Sequence, residues 1–186
     1  MGRVLPFIVC LLSAPALSAT VLLPAEFREV VAGSQVIAHA RVVDVRSEWV
    51  DGRRQIETVV TAEVLSYMKG DTGRTLTFKV PGGQIGRYRS VTIGAPQFRR
   101  GDEAVLFLNT AGEPAGLQVF GLNQGVFRVR QDQISGRRVV ITPALVGTSD
   151  TPQRVVRGAA ARRPLELDAF GAQVRAAMAS QRGAAR

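Results

Sequence analysis

Cysteine is almost absent from this chain: Cys10 is the only one in 186 residues, and His39 is the only histidine. A lone thiol cannot close an intrachain disulfide, and a single histidine without thiol neighbours leaves no ligand set for a zinc site. Lysine is nearly missing as well, with Lys69 and Lys79 standing against 22 arginines. The sequence holds no Gly-x-Ser-x-Gly nucleophile elbow and no glycine–lysine phosphate loop. No apolar run approaches the roughly 20 residues that cross a bilayer as a helix. These absences lead us to expect no enzyme, no cofactor and no metal. His39 itself lies between Ala38 and Ala40 in a strand pattern. It is expected to be a strand side chain with a satisfied hydrogen bond.

What is present begins with an export pattern. Met1-Gly2-Arg3 carries a positive charge, Val4 to Leu12 is apolar, and Ser13 to Ala19 is rich in small residues. This order predicts a secretory signal peptide over residues 1–19, cut after Ala19 or, as second choice, after Ser18. Cys10 sits inside the apolar run and away from the cut, which argues against lipidation. Cleavage would leave a cysteine-free mature chain in the periplasm or outside the cell.

The net charge of +9 is unevenly placed. Residues 20–127 hold twelve basic and eleven acidic side chains, whereas residues 128–186 hold eleven arginines against four acids. Excess positive charge in an exported protein meets anionic envelope polymers before it meets DNA, so no nucleic-acid partner is expected.

Short apolar runs separated by turn signals predict a mainly all-β domain over residues 20–146. Pro24 to Ala32 reads as a short N-terminal helix, ended by Gly33-Ser34. Val36 to Val45 reads as a strand whose alternation breaks near Val42, the mark of a bulge. Asp51-Gly52 predicts a hairpin turn, with the return strand alternating from Ile56 to Val64. Leu76, Phe78 and Val80 mark a third strand, Ala104 to Leu108 a continuous central one, and further strands follow at 117–120, 125–129 and 138–142. Residues 147–164 read as a flexible basic linker. Residues 165–186 predict a C-terminal amphipathic helix and tail, with Asp168 as cap and Phe170, Val174 and Met178 as the apolar stripe. That stripe either docks on the domain or meets the envelope surface or a partner.

Among local features, Pro81-Gly82-Gly83-Gln84-Ile85-Gly86-Arg87-Tyr88-Arg89 stands out. Its glycines permit a sharply turned connection. Its Arg87, Tyr88 and Arg89, together with Arg99 and Arg100, form a candidate ligand-binding face for an anionic or extended ligand. Asp102-Glu103, following Arg99 and Arg100, reads as local charge compensation in a turn.

Ser34 to Val43 followed by Val60 to Gly70 resembles the opening hairpin of netrin-like domains and tissue inhibitors of metalloproteinases. Ala40-Arg41-Val42, Glu63-Val64-Leu65, Lys69-Gly70, Pro81-Gly82-Gly83, Leu106-Phe107-Leu108 and Gly125-Val126-Phe127 are similar to a pattern of uncharacterised secreted bacterial domains. The resemblance covers residues 30 to 130. It implies a small OB-like, five-stranded antiparallel β-barrel. The inhibitors' zinc-binding N-terminal cysteine has no counterpart in a mature chain, so no functional residue carries over. The function expected is a non-catalytic exported binding domain whose partner is a protein or an anionic envelope polymer. The alternative is an accessory protein, inhibitor or chaperone, of a secreted enzyme such as a protease.

Overall fold

In chain order the elements are β1 (Ala25–Glu26), α1 (Phe27–Gly33), β2 (Val36–Val50), β3 (Gln55–Lys69), β4 (Thr75–Pro81), β5 (Gly83–Ile85) and β6 (Tyr88–Ser90). There follow β7 (Glu103–Ala111), β8 (Gly116–Val119), a 3-10 turn (Leu122–Gly125), β9 (Val126–Gln131), β10 (Arg138–Ile141), β11 (Val146–Gly147), β12 (Leu165–Glu166) and α2 (Leu167–Ala184). They come from a computed structural model that describes residues 24–111, 116–143, 146–147 and 164–184. The expected signal peptide lies outside the described residues. So does the expected linker, apart from residues 147 and 164.

Eight strands form one sheet in the order β12-β10-β9-β7-β2-β3-β4-β8, and β8 pairs with β7 as well. The pairs β1–β11 and β5–β6 form two separate two-stranded sheets. The β2–β3 hairpin turns through Asp51, Gly52 and Arg53, all at positive φ, which is where Asp-Gly is favoured. The broken alternation near Val42 is a register shift between Val42 and Asp44.

This arrangement corrects the expected barrel. The sheet has eight strands, and its β4–β8 pairing is parallel, so it is neither five-stranded nor wholly antiparallel. The cause lies in β7. One side of this strand pairs with β2 over residues 103–108. Its other side is shared, residues 104–106 pairing with β9 and 108–111 with β8. Through β9 the sheet continues to β10 and β12, beyond anything the OB-type resemblance implies. The label of a cysteine-free chain also needs correcting, because Cys10 is part of the sequence and lies outside the described residues.

The sheet is buried on both faces at its centre. Val36, Ala38, Ala40 and Val42 of β2 enter one core with Val60, Ala62, Leu76, Phe78, Leu106 and Leu108. Ile37 enters the other with Val105, Phe107 and Phe127, beneath Val30 and Val31 of α1 and Phe170 and Val174 of α2. Each such side chain contributes about 1.5–3 kcal/mol by leaving water. The two helices are therefore held by one face of β2, β7 and β9. The apolar stripe of α2 is spent in this contact, with Phe170 and Val174 buried. Gln181 Nε2 also donates to the Arg28 carbonyl at 2.9 Å, tying α2 to α1.

The Tyr67-Met68-Lys69-Gly70 stretch at the end of β3 has a structural explanation. Lys69 Nζ donates to the carbonyl oxygens of Val31 at 2.9 Å and Ala32 at 3.4 Å, satisfying the end of α1. Tyr67 donates its hydroxyl to the Gly73 carbonyl at 2.7 Å, closing the turn into β4. Among the described residues no helix is long and apolar enough to cross a membrane.

Candidate functional site

The bulge in β2 positions the first group of polar residues. Val42 is freed there to bond outside its ladder: its N–H donates to the Asp102 carbonyl, and its carbonyl accepts from Gly101 N–H, both at 2.8 Å. This staples the Arg99–Asp102 turn to the sheet. Asp102 then accepts from Arg99 N–H at 2.9 Å and from Arg128 Nη1 at 2.6 Å. Arg128 also donates to the Gln97 carbonyl and lies over the Phe98 ring at 5.0 Å. The result is an open cleft of about 540 Å³ lined by Gln97, Arg99, Gly101, Asp102, Glu103, Arg128, Val129 and Arg130.

Charge in this cleft is unbalanced in a useful way. Asp102 is taken by Arg128, and Glu103 is taken from the other face of the sheet. Among the described residues, the exposed guanidinium groups of Arg99 and Arg130 have no carboxylate partner. Two free guanidinium groups beside a wet cleft can accept a planar anionic group in charge-assisted, bidentate fashion.

Glu103 belongs to a second cluster. His39 Nε2 lies 2.7 Å from Glu103 Oε1, with Arg138 Nη1 at 3.3 Å and Arg41 Nη2 at 3.4 Å from the same carboxylate. His39 is 3 % exposed, while both arginines are about half exposed. Burial pushes the imidazole pKa below its usual 6.5, the hydrogen bond with Glu103 opposing this. Burial pushes the Glu103 carboxyl up, but His39, Arg138 and Arg41 outweigh it, and the group titrates below its usual 4.5. A neutral His39 thus donates its Nε2 proton to an ionised Glu103.

The sign of the resulting pH dependence follows from linkage. An unfolded chain takes up a proton on His39 near pH 6.5, where the folded chain does not. Stability is therefore full above that pH and falls as the medium is acidified through it. The contribution of Glu103 is present above 4.5 and is lost at lower pH. Thermal midpoints should be level near neutrality and decline from about pH 6.5 downward. With no second histidine in the chain, His39→Leu should remove the upper part of that decline. A decline in the variant matching that of the parent chain would show that His39 is not its source.

The five candidate residues read from sequence fall into separate places. Arg87 and Tyr88 sit at the β5–β6 hairpin, where Arg87 Nη2 donates to the Tyr88 hydroxyl at 3.0 Å and its guanidinium lies 5.1 Å from the ring centre. Tyr88 packs edge-on against Trp49 of β2 at 5.5 Å. Arg89 lines a groove of about 380 Å³ with Ser47, Thr58, Ser90, Thr92 and Gln97. Arg99 lines the larger cleft, and Arg100 lines neither. Gln97 borders both recesses, so they are neighbours on the surface.

The glycines before this hairpin are there for space and backbone angle. Gly82 and Gly83 have φ of 92° and 149°. A Cβ on Gly83 would stand 2.6 Å from Ser47 Oγ and 2.7 Å from Thr58 Oγ1. Thr58 Oγ1 donates to the Gly82 carbonyl at 2.7 Å, fixing the start of the hairpin against β3.

Sequence reasoning missed Arg128 and Arg130, which counted only toward the arginine excess of residues 128–186. It also misassigned Asp102-Glu103. Compensation for these acids comes from Arg128, His39, Arg41 and Arg138, all distant in sequence. Among the described residues no group of three His, Cys, Asp or Glu side chains could hold a metal ion.

No family model, no curated protein and no solved structure matches the chain. With that result and the mixed eight-stranded sheet, the resemblance to netrin-like domains, metalloproteinase inhibitors and the secreted bacterial pattern is withdrawn.

Proposed function

We propose that this protein is an exported, non-catalytic binding domain that engages an anionic group of an envelope polymer or partner protein. The observation that carries the reading is the cleft beside the Arg99–Asp102 turn, in which Arg99 and Arg130 stand without carboxylate partners among the described residues. Arg128, clamped between Asp102 and the Gln97 carbonyl, is the fixed wall of this cleft rather than its ligand-seeking group. The only histidine favours binding over catalysis, since it is buried and committed to Glu103. A general base has to reach its substrate's proton.

The test is retention on lipopolysaccharide and on a sulfated polysaccharide resin across a salt series. Screening weakens contacts made by exposed arginines, so retention should fall steeply as salt rises. Arg99→Ala/Arg130→Ala should lower affinity by about tenfold, the loss of one or two charge-assisted contacts. Both side chains are exposed, so the fold should be undisturbed. Retention unaltered in the double variant would overturn the assignment of the cleft.

A further inference from the structure

We infer that the segment from the β5–β6 hairpin to Ile93 is a membrane-surface contact, a tip that inserts between the headgroups of an anionic phospholipid bilayer. Three observations converge on it. Tyr88, Val91 and Ile93 are 51 %, 70 % and 94 % exposed within six residues of one another, in a chain that buries most of its large apolar side chains. An isolated exposed apolar residue needs no explanation, but three on one short segment do. Ala95 N–H donates to the Thr92 carbonyl at 3.1 Å, so Ile93 lies within a closed turn.

The second observation is charge. Residues 82–101 hold no aspartate or glutamate, yet contain Arg87, Arg89, Arg99 and Arg100. On the neighbouring β2–β3 hairpin, Glu48 and Glu57 share Lys79 at 3.2 Å, which offsets one of the two negative charges. Asp51 shares its turn with Arg53 and Arg54. An exposed apolar segment that carries arginines and no acids matches an anionic bilayer. Apolar side chains gain by entering the acyl boundary while arginines stay with phosphate.

The third observation is aromatic. Trp49 of β2 and Tyr88 of the segment meet at 5.5 Å, with the Arg87 guanidinium on the Tyr88 ring. Tryptophan and tyrosine favour the headgroup level, where one end of the ring is dry and the other wet. Exposed apolar side chains, an aromatic pair and arginines are thus gathered on one short segment, the residue types that a membrane interface accommodates.

The inference does not use the Arg99–Arg130 cleft and is tested separately from it. The full chain is mixed with phosphatidylcholine vesicles, with and without phosphatidylglycerol. Trp49, the only tryptophan, serves as a local reporter. We expect co-sedimentation with the anionic vesicles, a blue shift of Trp49 emission, and its quenching by lipids brominated along the acyl chain. Val91→Ser/Ile93→Ser should weaken binding about tenfold or more and abolish the quenching. Because both residues are exposed, the variant should fold normally and keep its retention on the sulfated resin. Arg87→Glu/Arg89→Glu should lose anionic vesicles with the apolar tip intact. Binding unchanged by the Val91/Ile93 substitutions, or bound protein with unquenched Trp49, would overturn the inference. So would concentration-dependent dimers that the same substitutions dissolve without vesicle binding by the parent chain.

Discussion

Phe107→Ala should destabilise the fold by about 3–5 kcal/mol, the largest effect of any single truncation considered for this protein. Phe107 is fully buried on β7, the strand that pairs with β2, β8 and β9. Its ring meets Phe127 at 4.8 Å, Phe27 at 6.2 Å and Phe170 at 6.3 Å. With Phe127, which also meets Phe27 and Phe170, it joins the start of α1 and the start of α2 to the sheet. Removing it leaves a cavity among groups that cannot collapse together, because the two helices approach from different chain ends. A chain of this size should lose roughly 10 °C or more in Tm. Urea unfolding monitored by circular dichroism measures the loss. Ile93→Ala is the control, expected within about 0.5 kcal/mol of the parent because its side chain is exposed. A Phe107→Ala loss under about 1 kcal/mol would mean that the helices do not rest on this ring.

Glu103→Ala should cost about 2–4 kcal/mol at neutral pH. Most of this comes from His39, which is buried and would lose the acceptor at 2.7 Å. The contributions of Arg41 and Arg138 are small because water screens both half-exposed groups. His39→Leu in the Glu103→Ala background should recover part of the loss, since a buried apolar residue leaves no donor unsatisfied. A double-mutant cycle on unfolding free energies isolates the coupling, expected at about 1–2 kcal/mol. Additive losses would show that the two residues do not depend on each other.

Legibility in the sequence varied with how local the cause was. The β2–β3 hairpin could be read because Asp51-Gly52 and the alternation from Ile56 to Val64 act over a few residues. The stripe of Phe170 and Val174 was visible for the same reason. The apolar run Ala104 to Leu108 was read as a central strand. What it did not disclose is that one face meets the β2–β3–β4 core while the other meets two helices. Nor did it disclose that the strand's edge is divided between β8 and β9. Alternation tells a strand that it has faces, and it is silent on which neighbour lies against each edge. That silence is why the five-stranded expectation failed.

The polar sites follow the same rule. Arg87, Tyr88 and Arg89 stood out by their spacing after the glycines, and they do share one hairpin. The Arg99 cleft needed Arg128 and Arg130 from a strand nearly thirty residues on, and Glu103 needed His39 from 64 residues back.

The sequence by itself determined the scarcity of thiol and imidazole, the arginine excess, the strand and helix segments, and the turn at Asp51-Gly52. Those are properties of composition and of neighbours along the chain. Only the tertiary structure decided that buried His39 meets Glu103 at 2.7 Å, and that Arg99 and Arg130 line one cleft with no carboxylate partner among the described residues. β-Sheets bring distant residues together through pairings that sequence periodicity cannot specify, and charge balance is settled only once those pairings exist.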